Sequence, residues 1–113
     1  MGEPISTDKK QERAVIIGLI TGNVSEELTN EYLDELAFLA ETSGAVTIKR
    51  FTQKLPIPHV ATFVGKGKLE EIDNFIKQND IDMAIFDDDL TPTQIRNIER
   101  TLEIKILDRS SLI

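Results

Sequence analysis

Two short runs hold the residue types and spacings that could do chemistry. In "VGKGKLEE", Val64 to Glu71, the residues Gly65, Lys66, Gly67 and Lys68 stand where a β-rich run gives way to a helical pattern. A glycine turn feeding a helix N-terminus is a place for phosphate, because free amides and the positive end of the helix dipole both favour an anion. In "FDDDL", Phe86 to Leu90, three carboxylates follow a strand-like run. Carboxylates gathered there can bind magnesium or accept a phosphoryl group.

Spacing tests both readings. A nucleoside-triphosphate loop needs G-x-x-x-x-G-K-[ST], in which amides wrap the phosphates and a hydroxyl holds magnesium; the run does not supply it. Gly65 and Gly67 begin a G-x-G-x-x-G fingerprint, but Glu70 occupies its third glycine position. There it would obstruct helix packing and repel a pyrophosphate. The glycines therefore read as a tight strand-to-helix turn, with nucleotide binding as the alternative. For the acids, a phosphorylation pocket needs carboxylates from another strand end, and the first strand ends "GLITGN" without one. Asp87, Asp88 and Asp89 are expected to solvate their loop and favour the positive end of the next helix. Asp108 and Arg109 are expected to pair locally. Neither a Ser–His–Asp order nor a carboxylate pair suited to glycoside cleavage can be argued, so no catalytic residue is assigned.

The lysines need their own reason. At a helix head they oppose the dipole by about 0.3 to 1 kcal/mol, where stability alone favours Asp or Glu. A polyanion reverses that penalty. An RNA backbone is thus a sensible partner for Lys66 and Lys68, with Arg50, Lys54 and His59 widening the footprint; the plainer alternative is a solvated surface. A net charge of −7 argues against nucleic acid in bulk. The charge is segregated, however. From Thr42 to Leu69 there is no acid, while Lys49, Arg50, Lys54, Lys66 and Lys68 give +5; the other 8 cations face all 20 acids, a balance of −12. This pattern suggests a local anion-binding surface on an acidic body.

Composition bounds the rest. With 113 residues the chain has room for one compact domain. No apolar run approaches the roughly 20 residues of a membrane span. The absence of cysteine excludes disulfides, thiolate metal sites and thiol nucleophiles, and suits a cytoplasmic setting. A single histidine, His59, leaves no second imidazole for zinc, so no metal site is expected. Residues 1–12 read as a polar tail, without the apolar core of a secretory signal.

The elements that must position these residues alternate. "AVIIGLI", Ala14 to Ile20, is a strand of the kind covered on both faces. Ser25 can cap a helix whose stripe is Leu33, Leu36, Ala37 and Ala40, with Gly44 as its left-handed end. Ala45 to Phe51 alternates as a second strand, with Val46 and Ile48 on one face and Lys49 and Phe51 on the other. Pro56 and Pro58 then enforce an extended and mobile loop. Leu69, Ile72 and Ile76 mark a second helix, and Asp82 to Asp87 a third strand. Thr91, Pro92 and Gln94 form a capping box opening a helix with Ile95, Ile98 and Leu102 inward. Ile104 to Asp108 is the fourth strand. The βαβαβαβ order predicts an α/β fold: a mostly parallel four-stranded sheet with helices packed on it. Ligands of such sheets meet the loops beyond the strands' carboxyl ends, here residues 52–68.

Three ordered motifs, "ATFVGKGKLEEI", "IFDDDLTPTQIRNIE" and "ILDRSSLI", resemble the N-terminal domain of HflX-type ribosome-associated GTPases. The similarity runs from about Arg13 to the last residue, so 13–113 is expected to be that domain. Asp89 and Thr91 depart mildly, standing where Glu and Ser are common in the family. The resemblance implies a parent protein that hydrolyses GTP with magnesium and binds the large ribosomal subunit and its rRNA, helping to split ribosomes. It also implies that a helical linker and GTP-binding domain lie outside this chain, as intramolecular partners, and that these 113 residues alone, with no phosphate loop and no cofactor, do not hydrolyse GTP. Lys54, His59, Lys66 and Lys68 match the family's loop and glycine turn, which the resemblance directs toward the ribosome's peptidyl transferase region.

Overall fold

In a computed structural model, which describes residues 11–112, strand and helix alternate four times. The order is β1 (Glu12–Ile20), α1 (Glu26–Thr42), β2 (Ala45–Lys54), α2 (Lys66–Gln78), β3 (Met83–Phe86), α3 (Pro92–Leu102), β4 (Lys105–Leu107) and α4 (Arg109–Leu112). The four strands form one sheet in the order β2-β1-β3-β4, and each neighbouring pair is parallel. This is the α/β class expected. Of the polar tail, residues 1–10 lie outside the described residues, and Glu12 already belongs to β1.

The layers follow from burial on both faces of the central strands. Residues Ala14 to Leu19 of β1 and all of β3 are buried, so alternate side chains supply two separate cores. Val15, Ile17, Leu19, Ala84 and Phe86 pack with Leu69, Ile72 and Ile76 of α2 and with Ile98 and Leu102 of α3. Ala14, Ile16, Met83 and Ile85 pack on the other side with Leu33, Leu36, Ala37 and Ala40 of α1. The chain turns one way from β1 to β2 and the opposite way from β2 through β3 to β4. Right-handed crossovers then require α1 on one face and α2 and α3 on the other.

Local chemistry sets the helix ends. The Ser25 hydroxyl accepts from the Leu28 amide at 3.1 Å, and Gly44 takes a φ of +99° where α1 stops. Thr91 and Gln94 close the capping box, with Pro92 at the first helical position.

Two expectations are corrected. Strand β2 does not stop at Phe51 but continues to Lys54, alongside Ile20 of β1. Its faces do not divide as simple alternation requires, because pairing with β1 jumps from Thr47 to Lys49 and leaves Ile48 as an extra residue. The bulge resets the parity. Ile48 consequently packs against the same core as Phe51.

Gly18 is where α1 comes closest to β1: a Cβ there would lie 2.9 Å from Leu33 Cδ2, and Leu33 is itself fully buried. Gly18→Val is therefore expected to overpack this layer and destabilise the fold by about 1 to 3 kcal/mol, read as a lower denaturant midpoint. An unchanged midpoint would show that α1 can move away freely.

Candidate nucleic-acid interface

The loop joining β2 to α2 is closed at its neck. The Gly65 amide donates to Gln53 Oε1 at 2.9 Å, drawing the start of α2 against the end of β2. A Cβ on Gly65 would come within 3.2 Å of Gln53 Nε2, so the glycine is used for close approach. It is not used for an unusual dihedral: Gly65 has φ −67° and ψ 162°, ordinary extended backbone. The left-handed residue of this loop is Phe63, with φ +67° and a side chain buried against Phe86. The tight turn expected of the glycines is thus made by an aromatic residue upstream of them.

Side chains of α3 fasten the loop from below. Gln94 Nε2 donates to the His59 carbonyl at 2.9 Å while its Oε1 accepts from the Thr91 amide at 2.9 Å. Asn97 Nδ2 donates to the Ala61 carbonyl at 3.0 Å. His59 and Phe63 exchange backbone hydrogen bonds of 3.0 and 2.9 Å, and His59 Nδ1 accepts from the Ala61 amide at 3.2 Å. This makes a compact loop with its ends held together, and not the extended one expected from its prolines, because Gln53, Gln94 and Asn97 bond its backbone from outside.

On this frame the candidate cations separate into groups. Lys66, Gly67 and Lys68 are the first three residues of α2, and Gly65 at the cap offers no side-chain acceptor to their amides. Lys66 and Gly67 are exposed, and a Cβ on Gly67 would meet nothing within 4 Å. Lys54 is exposed at the end of β2, beside a groove of about 320 Å³ lined by Ile20, Thr21, Gly22, Lys54, Leu55 and Pro56. Lys54, His59, Gly65, Lys66, Gly67 and Lys68 thus share the carboxyl-terminal edge of the sheet. Among the described residues Lys54 and Lys66 have no carboxylate within 4.0 Å, whereas Lys68 meets Glu71 at 3.1 Å. Arg50 is drawn away from the group: it points to the α1 side and pairs with Asp34 at 2.6 Å. Lys49 lies on the α2 side, 5.3 Å from the ring centroids of both Phe51 and Phe75.

The acidic run has a structural task that its sequence does not disclose. Arg109 pairs with Asp87, Nη2 to Oδ1 at 3.0 Å, and not with Asp108. The Asp87 carboxyl is pushed up by burial, which exceeds the opposing pull of Arg109, with Asp88 and Glu35 adding to the rise. Asp108 Oδ2 accepts from the Leu90 amide at 3.1 Å, and its Oδ1 accepts from the Ser111 amide and hydroxyl at 3.1 and 2.9 Å. Burial works against the Asp108 charge, but these hydrogen bonds together lower its pKa. Ser110 donates to Asp89, and the Arg109 amide to the Asp88 carbonyl at 3.2 Å. The carboxylates of Asp87 and Asp89 and the Asp88 carbonyl tie the β3–α3 loop to the start of α4, a task beyond the loop solvation expected of them.

Phosphate finds a poor fit at the point where strand order reverses between β1 and β3. The cavity there, reached by Leu19, Thr21, Phe63, Asp87 and Arg109, is about 80 Å³, against roughly 300 to 1,000 Å³ for ligand pockets. A neighbouring hollow of about 340 Å³ presents Glu35 and Asp87 beside Arg109. Among the described residues no cluster of three His, Cys, Asp or Glu is placed to hold a metal ion. No helix there is long and apolar enough to cross a membrane.

An open parallel α/β domain with a basic, tightly fastened loop at its carboxyl edge is the class that fold and site define. Residues 30–113 match the family model described as GTP-binding GTPase N-terminal. The chain belongs to that family, as an HflX-type N-terminal domain. GTPase HflX of Flavobacterium psychrophilum is 49% identical over 102 residues, covering 90% of this chain and 25% of that protein. GTPase HflX of Caldanaerobacter subterraneus subsp. tengcongensis is 42% identical over 111 residues, covering 98% and 24%. A solved structure described as an SsGBP mutation variant shares the fold, with a TM-score of 0.65 at 24% identity over 89% of this chain and 30% of that one. The chain therefore spans about a quarter of the length of the curated relatives it matches.

Gln53, Gln94, Asn97 and Phe63, which hold the loop, escape sequence reasoning. Gln94 was visible only as a capping residue; its second bond depends on a loop 35 positions away.

Asp108→Ala is expected to leave the buried Leu90 amide unpaired and lower stability at neutral pH by about 1 to 3 kcal/mol. Because the folded pKa of Asp108 is lowered, its contribution is present above the ordinary carboxylate value and is lost as pH falls through the folded value. The gap between variant and wild type should narrow below pH 3.8 in denaturation at matched ionic strength. A gap independent of pH would contradict this.

Proposed function

We propose that this domain is the module through which an HflX-type GTPase docks on ribosomal RNA of the large subunit, and so takes part in ribosome splitting in the cytoplasm. The observation that carries the reading is the head of α2. There Lys66 and Lys68 oppose the helix dipole, Gly65 leaves the first-turn amides without a side-chain cap, and Lys54 stands at the same edge. For a free-standing domain this arrangement is unfavourable; against a phosphate backbone each feature becomes an attraction. The run from Thr42 to Leu69 contributes no acid of its own to that edge. Arg50, committed to Asp34, contributes less to the footprint than Lys54 and Lys66, and His59 serves chiefly to shape the loop.

On this reading GTP and magnesium are handled by the part of the parent protein outside these residues, and the domain itself is not catalytic. The Gly65–Lys68 turn does not fit a nucleotide cradle, because α2 begins directly at Lys66 and leaves no loop to wrap phosphates. A second contact, with the parent's own linker or GTPase domain, is favoured by α1. Its Leu28, Tyr32 and Phe38 are 36, 40 and 64% exposed, on the opposite side of the sheet from α2.

In the full-length parent, Lys54→Gln with Lys66→Gln is expected to weaken binding to large subunits and to flatten the slope of log affinity against log salt by roughly 1 to 2. Titrations at several salt concentrations measure both. Unchanged affinity and slope would remove the RNA reading.

A further inference from the structure

The crown of the β2–α2 loop carries two large apolar side chains in water: Ile57 is 74% exposed and Val60 83%. Isolated exposed apolar residues are common and need no explanation. These two differ in how firmly the backbone beneath them is held. Pro56 and Pro58 bracket Ile57 and restrict the chain around it. Gln53, Gln94 and Asn97 tie the loop at its neck and floor, and the His59–Phe63 bridge encloses Val60. Phe63 is held at a positive φ that bulky residues rarely adopt, with its ring buried. Such strain persists where the surroundings over-determine it, and it collects at functional sites. The fold thus fastens and strains a loop whose summit buries nothing within the domain.

Resting on the RNA reading above, we propose that Ile57 and Val60 form a preorganised apolar anchor that seats against unstacked nucleobases of the folded RNA. Rigid display removes the ordering penalty that a mobile loop would meet on binding. Charge complementarity selects the partner: the anchor sits between Lys54 and Lys66, inside the acid-free window, with no carboxylate against either lysine among the described residues. Folded RNA offers both complements, phosphates for the lysines and splayed bases for the apolar tip. The lysines supply the long-range, sequence-independent attraction. The tip supplies a short-range contact, which needs a base turned out of its stack and so confines docking to particular RNA shapes.

The two contributions separate by salt, because apolar burial releases no counterions. In the full-length protein, Ile57→Ser with Val60→Ser should weaken large-subunit binding about tenfold and leave the salt slope unchanged. Ile57→Leu with Val60→Ile should bind normally. A photoreactive benzoylphenylalanine in place of Val60 should crosslink to RNA in the docked complex. Normal binding by the serine pair overturns the anchor, as does a crosslink to protein alone. A serine pair whose slope falls as the lysine pair's does also overturns it, since the loop would then act only through its charges. If the lysine pair alone weakens binding, the anchor fails and the RNA reading stands; if neither pair has any effect, both fall.

Discussion

Burial of β1 and β3 on both faces is the constraint from which the other features descend. Six consecutive residues of β1 and all four of β3 are removed from water, so helices must cover the sheet above and below. The sheet meets that requirement with parallel strands and helical crossovers, and parallel strands place all their carboxyl ends at one edge. The β2–α2 loop, the acid run after β3 and the start of α4 are neighbours for this reason. A functional surface can then be assembled from segments distant in sequence without any of them carrying a core of its own.

At that edge polar side chains do what apolar packing does elsewhere. Gln53 holds the neck of the basic loop, Gln94 and Asn97 hold its floor, and Asp108 and Arg109 hold the adjoining acidic loop. Most of these bonds join a side chain to a backbone group that would otherwise be partly buried without a partner. Fixing loops by this means leaves their outward faces free for another molecule. The exposed lysines and the apolar crown are what remain on those faces.

Electrostatics divides along the same lines. The body is acidic, and several of its ion pairs, such as Lys77 with Asp73, are surface contacts that contribute little to stability. The basic window is not uniformly available. Arg50 is taken up by Asp34, Lys49 lies over aromatic rings and Lys68 meets Glu71. What the linear charge count presents as five equivalent cations becomes two exposed and unpaired ones among the described residues, Lys54 and Lys66, with a third partly satisfied.

Periodicity and capping chemistry determined the fold from sequence alone: the apolar runs of β1 and β3, the stripes of the three longer helices, the caps at Ser25 and Thr91 and the left-handed Gly44 all express local preferences that tertiary contacts reinforce. The same was true of the acid-free window, which is compositional. Tertiary structure decided the bulge at Ile48, the partner of Arg109, the withdrawal of Arg50 and the second bond of Gln94. It also decided that Phe63, and neither glycine, takes the left-handed turn. Each of these rests on a hydrogen bond, ion pair or packing contact between residues 12 or more positions apart. The energies of such contacts depend on distances in space, which spacing along the chain does not contain.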